Sequence, residues 1–248
     1  GIPQGSPFVV LIVRDSAYLE KKLPWRSWSY HDYRDCNVQN YVLAAKELAD
    51  RGYYVVRMGQ VVKEAMDVDH PMIIDYATNG MRTDFMDIYL GAKCTFCISN
   101  GTGYDGVPTI FRKPILFVDH VPLLAISTFS SNILITTKKH WLRKEQRYMT
   151  FNEIISATTL NNHNPYQLHE KLDINLIESS PEEIKDVVIE MDERLKGTWE
   201  SSEEDELLQE KFWKHFPSDF EVVALGHGAI RSRMGARFLK DSEKLLDD

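Results

Sequence analysis

Short apolar runs that each end in polar residues, separated by helix-patterned stretches, constrain the fold of this chain more than any other feature. Phe8–Asp15 is apolar up to Arg14-Asp15 and reads as a strand buried on both faces. From Asn37, the positions Val38, Tyr41, Val42, Ala45, Leu48 and Ala49 keep helical spacing, and Arg51-Gly52 supplies a cationic last turn and a stop. Tyr53–Met58 follows as a second strand, Met72–Tyr76 as a third, Asp84–Leu90 as a short helix, Cys94–Ser99 as a fourth strand and Ile115–Val118 as a fifth. This order predicts an α/β fold: a Rossmann-like parallel sheet with helices on both faces, joined by right-handed crossovers.

Beyond Ser127 the pattern changes. Asn132–Thr136 reads as a sixth strand, Phe151–Ala157 as a short helix and Asn161–Pro165 as a polar loop. Ser180-Pro181-Glu182-Glu183 has the cap, proline and acidic first turn of a helix that runs to Lys196, and Ser201–His215 repeats the recipe. The expected organisation is a Rossmann-like domain over 1–160 and a helical carboxyl-terminal extension over 161–248.

A chain of 248 residues, 43% of them hydrophobic, can bury a core without disulfides. Its formal charge of −8 argues against broad electrostatic binding to nucleic acid or anionic membrane, so a phosphate ligand needs a focused basic site. The longest apolar runs stop far short of the roughly 20 residues of a membrane helix. No signal peptide opens the chain, and Gly1 in place of Met leaves room for sequence upstream. Cys94 and Cys97 lie three apart in a β-like run and so point to opposite faces, which favours buried thiols in a reducing cytoplasm over chelation.

In open parallel sheets ligands bind beyond the carboxyl ends of the strands. Here those ends are Arg14-Asp15, Arg57-Met58-Gly59, Asp75-Tyr76, Asn100-Gly101-Thr102-Gly103 and Asp119-His120. Arg14 and Arg57 end adjacent strands, so their guanidinium groups either converge on one diphosphate or pair with Asp15 and Asp75 as structural ion pairs. Asn100–Gly103 lies between a strand and a short helix near Val107–Phe111, where backbone amides would face an anion or merely close a turn. The first strand is followed by a long stretch holding Tyr18, Trp25, Trp28, Tyr30 and Tyr33, which is either an aromatic lid or a surface that packs on a neighbouring domain. No P-loop is present, no Gly-x-Gly-x-x-Gly follows the first strand, and the usual zinc and serine-hydrolase motifs are missing. Asp67-Val68-Asp69 precedes its strand and reads as a solvated loop.

Arg14-Asp15-x-x-Tyr18, Tyr33-Arg34-Asp35, Gly52-Tyr53-x-Val55-x-Arg57-Met58-Gly59, Ile74-Asp75-Tyr76 and the Asn100-Gly101 turn together resemble a bacterial family of glycosyltransferases. That family is similar to the nucleotide-sugar-binding half of GT-B enzymes, including fucosyltransferase-like ones, and is associated with surface-polysaccharide synthesis. The resemblance covers residues 8–120 and is weak beyond them. It implies transfer of a sugar from a nucleotide-sugar donor to a glycan acceptor, with no cofactor and no metal. By position and type, Arg14 and Arg57 would hold the donor diphosphate, Asp75 and Tyr76 would sit near the nucleoside or sugar, and Tyr33 and Arg34 match the pattern without a stated role. Asp15 and then His120 are the candidates for a catalytic base. A GT-B enzyme closes two such domains over its substrates, so the acceptor half would lie upstream of Gly1, in an oligomeric partner, or in the aromatic stretch and helices. A nucleotide-sugar epimerase of GT-B shape and a non-catalytic sugar-nucleotide-binding module are the competing readings.

Overall fold

The innermost strand is β1 (Phe8–Ile12), whose Val9, Val10 and Leu11 are buried on both faces. It is followed by helices α1 (Ala17–Lys22) and α2 (Val42–Asp50), β2 (Tyr54–Arg57), β3 (Ile73–Asp75), α3 (Asp84–Lys93), β4 (Cys97–Ser99), α4 (Gly106–Ile110) and β5 (Ile115–Phe117). The computed structural model describes residues 1–161, 165–216 and 229–247. Most of the polar loop read at Asn161–Pro165 therefore lies outside the described residues. The chain divides into two compact units, Gly1–Val118 with Ser179–Ile189, and Asp119–Glu178 with Glu190–Asp248.

In the first unit five strands run parallel in the order β5-β4-β1-β2-β3. This is the α/β, Rossmann-like sheet that the alternation of elements implies. The connection from β1 to β2 steps one way along the sheet and that from β4 to β5 steps the other. The carboxyl ends of β1 and β4 therefore border the crevice of a topological switch point. α2 is preceded by a 3-10 turn over Val38–Tyr41, begun by the Asn37 side chain, which accepts from the Gln39 amide at 2.9 Å. The helix buries Ala44, Ala45, Leu48 and Ala49, and the chain leaves it through Gly52, whose φ of 91° suits a residue with no Cβ.

The long stretch after β1 is not structureless. It holds α1 and a 3-10 turn over Ser29–Arg34; Trp28, just before the turn, stacks on Tyr30 and His31, and the Arg26 guanidinium lies 4.8 Å from the Trp28 ring centre. Cys94 and Cys97 are both buried and neither is in a disulfide.

The second unit contains β6 (Ile133–Ile135), β7 (Lys139–Leu142), β8 (Arg147–Tyr148), α5 (Phe151–Asn161), α6 (Pro165–Leu172), β9 (Ile174–Ile177), most of the last two turns of α7 (Pro181–Lys196), α8 (Glu203–His215), β10 (Arg233–Met234) and α9 (Ala236–Asp241). β6 and β10 pair in parallel, while β8, β7 and β9 form an antiparallel sheet. Among the described residues seven strands are thus in parallel pairings, five in the first unit and two in the second. Gln209 of α8 clamps β10 by donating to the Met234 carbonyl at 2.7 Å and accepting from its amide at 3.1 Å. Phe151 packs edge-on against Phe212 in the core of this unit. Among the described residues no helix is long and apolar enough to cross a membrane.

Candidate functional site

A cavity of about 580 Å³ opens at the carboxyl ends of β1, β2 and β4, wholly within the first unit. Arg14 and Asp15 enter it from β1, Met58–Val62 from the loop after β2, and Gly101–Tyr104 from the turn after β4. Tyr18, Trp28, His31 and Arg34 come from the connection after β1, and Arg82 and Asp87 from the start of α3. Three arginines face two aspartates, so the lining is net basic on a chain that is acidic as a whole.

Six of the residues expected at a site line this cavity: Arg14, Asp15, Arg34, Gly101, Thr102 and Gly103. Arg14 donates to the Asp35 carboxylate and, at 3.0 Å, to the His31 carbonyl. Burial nevertheless raises the Asp35 carboxyl to about 6, against the pull of Arg14. Arg34 donates through Nη2 to the Gly101 carbonyl at 2.6 Å, has no carboxylate within ion-pairing distance among the described residues, and leaves its buried Nε without a partner. Burial and the neighbouring Arg14 both work against the Arg34 charge. Asp15 accepts from the amides of Ala17 and Lys63, each at 2.9 Å, and so ties the end of β1 to the loop after β2. That double tether makes it a brace for two cavity walls.

The expected convergence of Arg14 and Arg57 is corrected. Arg57 is fully buried, does not line the cavity, and donates to Asp75 at 3.0 Å and to the Glu64 carbonyl at 3.1 Å. The register explains this, because Arg57 of β2 lies directly beside Asp75 of β3. Asp75 also accepts from the Met66 amide at 2.9 Å, so both residues hold the fold together. Tyr76 is buried, and its hydroxyl accepts from the Thr83 amide at 2.8 Å, fixing the start of α3. Asn100 is likewise buried; it accepts from the Arg14 amide at 2.8 Å and donates to the Arg34 carbonyl at 3.0 Å. It positions both cavity arginines without entering the cavity. Tyr33 is half-buried, which raises its hydroxyl, and lies outside the lining. His120 belongs to the second unit and is not among the lining residues.

The turn after β4 also differs from an open row of amides. The Gly101 amide donates to Ser99 Oγ at 3.1 Å and the Thr102 amide to the Asp105 carboxylate at 2.6 Å, which closes a capping box. The turn satisfies these donors itself. Gly101 has a φ of 90°, whereas Gly103 has no positive φ, and a Cβ there would meet nothing within 4 Å.

Some lining residues fall outside the strand-end reading. His31 has a buried Nδ1 with no partner among the described residues, and burial together with Arg14, Arg34 and Arg26 lowers its pKa, which keeps the ring neutral. Arg82 and Asp87 pair at 2.5 Å, yet Arg82 Nε and Asp87 Oδ1 are buried without partners among the described residues. One signal was available for the turn: Gly101, Gly103 and Gly106 have the spacing Gly-x-Gly-x-x-Gly after β4, not β1. Its first glycine makes the tight turn, its second leaves the backbone open to the cavity, and its third has open space where the motif would pack helix on strand. No protein-family model, curated protein or solved structure matches the chain.

Proposed function

We propose that this chain binds a nucleotide-sugar in the cavity between β1 and β4 and acts as the donor-binding part of a glycosyltransferase with a glycan acceptor. The observation that carries this reading is the Arg14–Arg34 pair: two neighbouring, half-enclosed guanidinium groups, one of them with no ion-paired carboxylate among the described residues. Such a pair is stabilised by an anion that can accept from both, and a diphosphate has the charge and the reach. Gly103 gives that anion close access to backbone.

In the transfer, the acceptor hydroxyl oxygen bonds the sugar carbon as the bond from that carbon to the phosphate oxygen breaks. The diphosphate leaves with the electron pair, and Arg14 and Arg34 neutralise the charge it gathers. The hydroxyl proton passes to a base, and His31, held neutral in the lining, is the candidate for it. The buried thiols of Cys94 and Cys97 fit a cytoplasmic location.

A thermal-shift screen with nucleoside diphosphates and nucleotide-sugars tests this. A ligand at 100 times its dissociation constant adds about 2.7 kcal/mol of stability, and that gain should fall by half or more in Arg34→Ala. Slow hydrolysis of the stabilising nucleotide-sugar indicates a transferase, interconversion of free nucleotide-sugars an epimerase, and binding without turnover a silent module. No stabilisation by any member of either class rejects the reading.

A further inference from the structure

The cavity has a second chemical character away from its arginine pair. Arg82 Nη2 donates to Asp87 at 2.5 Å, while Arg82 Nε and Asp87 Oδ1, both buried, have no hydrogen-bond partner among the described residues. A buried donor and a buried acceptor left open on one ion pair cost free energy unless something enters to meet them. Phosphate cannot do so, since it brings acceptors and negative charge to a carboxylate. A hydroxyl can, because a single oxygen donates to Asp87 and accepts from Arg82. The pair is held in place from two sides: Arg82 also bonds Asp84 at 2.8 Å, and the Asp87 carbonyl accepts from the Tyr104 hydroxyl at 2.9 Å. Tyr104 ends the turn after β4 that lines the same cavity.

We propose that Arg82 and Asp87 form a hydroxyl-binding subsite, so that the ligand of this cavity is a phosphate ester of a polyhydroxylated compound, with its phosphates on Arg14 and Arg34 and its hydroxyls on α3. This rests on the proposed function and deepens it by naming what must accompany the phosphates. The hydroxyls belong either to the ribose of a nucleotide or to the sugar it carries, and the two sources are separable by ligand choice.

The test measures dissociation constants by calorimetry for inorganic pyrophosphate, for uridine and guanosine diphosphates and their 2′,3′-dideoxy forms, and for UDP-glucose and GDP-mannose. The proteins are the wild-type chain and the Asp87→Ala, Asp87→Asn and Arg34→Ala variants, each with its melting temperature recorded. Asp87→Ala should weaken the hydroxylated ligands tenfold or more without weakening pyrophosphate, whereas Arg34→Ala should weaken all of them. If the dideoxy forms bind the wild type as weakly as the parents bind Asp87→Ala, the hydroxyls are the ribose's. If only the nucleotide-sugars respond to Asp87→Ala, they are the donor sugar's. Asp87→Asn, which keeps the shape and one acceptor, should lose less, and it carries the comparison if the alanine variant does not fold. Pyrophosphate binding that depends on Arg34, with every ligand indifferent to residue 87, overturns the subsite and spares the anion site. Equal losses for pyrophosphate and the hydroxylated ligands in Asp87→Ala also overturn it. Failure of the wild type to bind any of these compounds overturns both.

Discussion

Two strand ends of the same sheet carry an arginine at the carboxyl edge and use it in opposite ways. At the β2–β3 edge, Arg57 is sealed between Asp75 and the Glu64 carbonyl. At the β1–β4 crevice, Arg14 and Arg34 line an open cavity; Arg14 pairs with Asp35, while Arg34 bonds a carbonyl and has no carboxylate within ion-pairing distance among the described residues. The difference comes from neighbours in register. β3 places a carboxylate directly beside Arg57, whereas β4 places Ser99, Asn100 and Gly101 beside the end of β1, and these orient the arginines without neutralising them. The adjacent strand withholds an acid from Arg14, and the carboxylate that pairs with it, Asp35, comes from the connection after β1 instead.

The sharpest way to break this contrast is to remove the sealed arginine. Arg57→Ala leaves Asp75 beside an unfilled space with its charge uncompensated, and taking one partner from a buried pair costs about 3–5 kcal/mol. Urea unfolding should show that loss as a lower midpoint, with nucleotide affinity unchanged in whatever fraction stays folded. A variant with wild-type stability and weakened nucleotide binding would reverse the assignment and put Arg57 back in the site.

Arg34→Ala is the converse. Its loss removes one hydrogen bond to the Gly101 carbonyl and relieves the repulsion from Arg14, so the melting temperature should move little. Nucleoside diphosphate affinity should fall by about 1.5–3 kcal/mol, the worth of a charged hydrogen bond, while affinity for the bare nucleoside stays constant. Equal losses for both ligands would make Arg34 a structural residue like Arg57.

A smaller effect lies in pH. Burial has raised the partner of Arg14, Asp35, to about 6. As pH falls through that value Asp35 gains a proton and its hold on Arg14 weakens. A bound diphosphate also favours the proton on Asp35 and on His31, whose charge the free site opposes. Both groups therefore take up protons on anion binding, and affinity rises as pH falls from 8 to 5, by at most about tenfold for each pH unit per group. Calorimetry should use a nucleotide-sugar, whose phosphates do not titrate in this range. Asp35→Asn should flatten the profile and bring the pH 8 affinity toward its low-pH value; a steep profile in that variant would leave His31 as the whole cause.

The sheet was legible because its signals are local. Continuous apolar runs such as Phe8–Ile12 and the helical spacing from Val38 to Ala49 depend on burial that each segment declares for itself. The ends of elements were less so: β1 stops at Ile12, because the Arg14 amide turns to the Asn100 side chain instead of continuing the ladder. The site divides the same way. Arg14, Arg34 and the Gly101–Gly103 turn could be read from strand ends and motif, but the fate of Arg57 hung on a register that no spacing within one strand reveals. His31, Arg82 and Asp87 reach the cavity from a folded-back connection and a helix start, and they bear no pattern until the chain closes.

The finest test of the open edge is the backbone at its rim. Gly101 and Gly103 look alike in sequence, yet Gly101 needs its glycine for a φ of 90° and Gly103 does not. A side chain at Gly103 would meet nothing within 4 Å in the free chain, so Gly103→Ala should fold with an unchanged melting temperature. Gly101→Ala should lower stability by about 1 kcal/mol, because a Cβ is strained at that φ. If a diphosphate approaches the turn as closely as the empty space allows, the added methyl at position 103 stands in its way, and affinity should drop several-fold, less than the loss in Arg34→Ala. If Gly103→Ala binds nucleotide as tightly as the wild type, the phosphates are held by the arginines alone and the turn only shapes the wall. If affinity falls in Gly103→Ala while pyrophosphate still binds fully, the obstructed part is the nucleoside or sugar, which would place the phosphates away from the turn, toward β1.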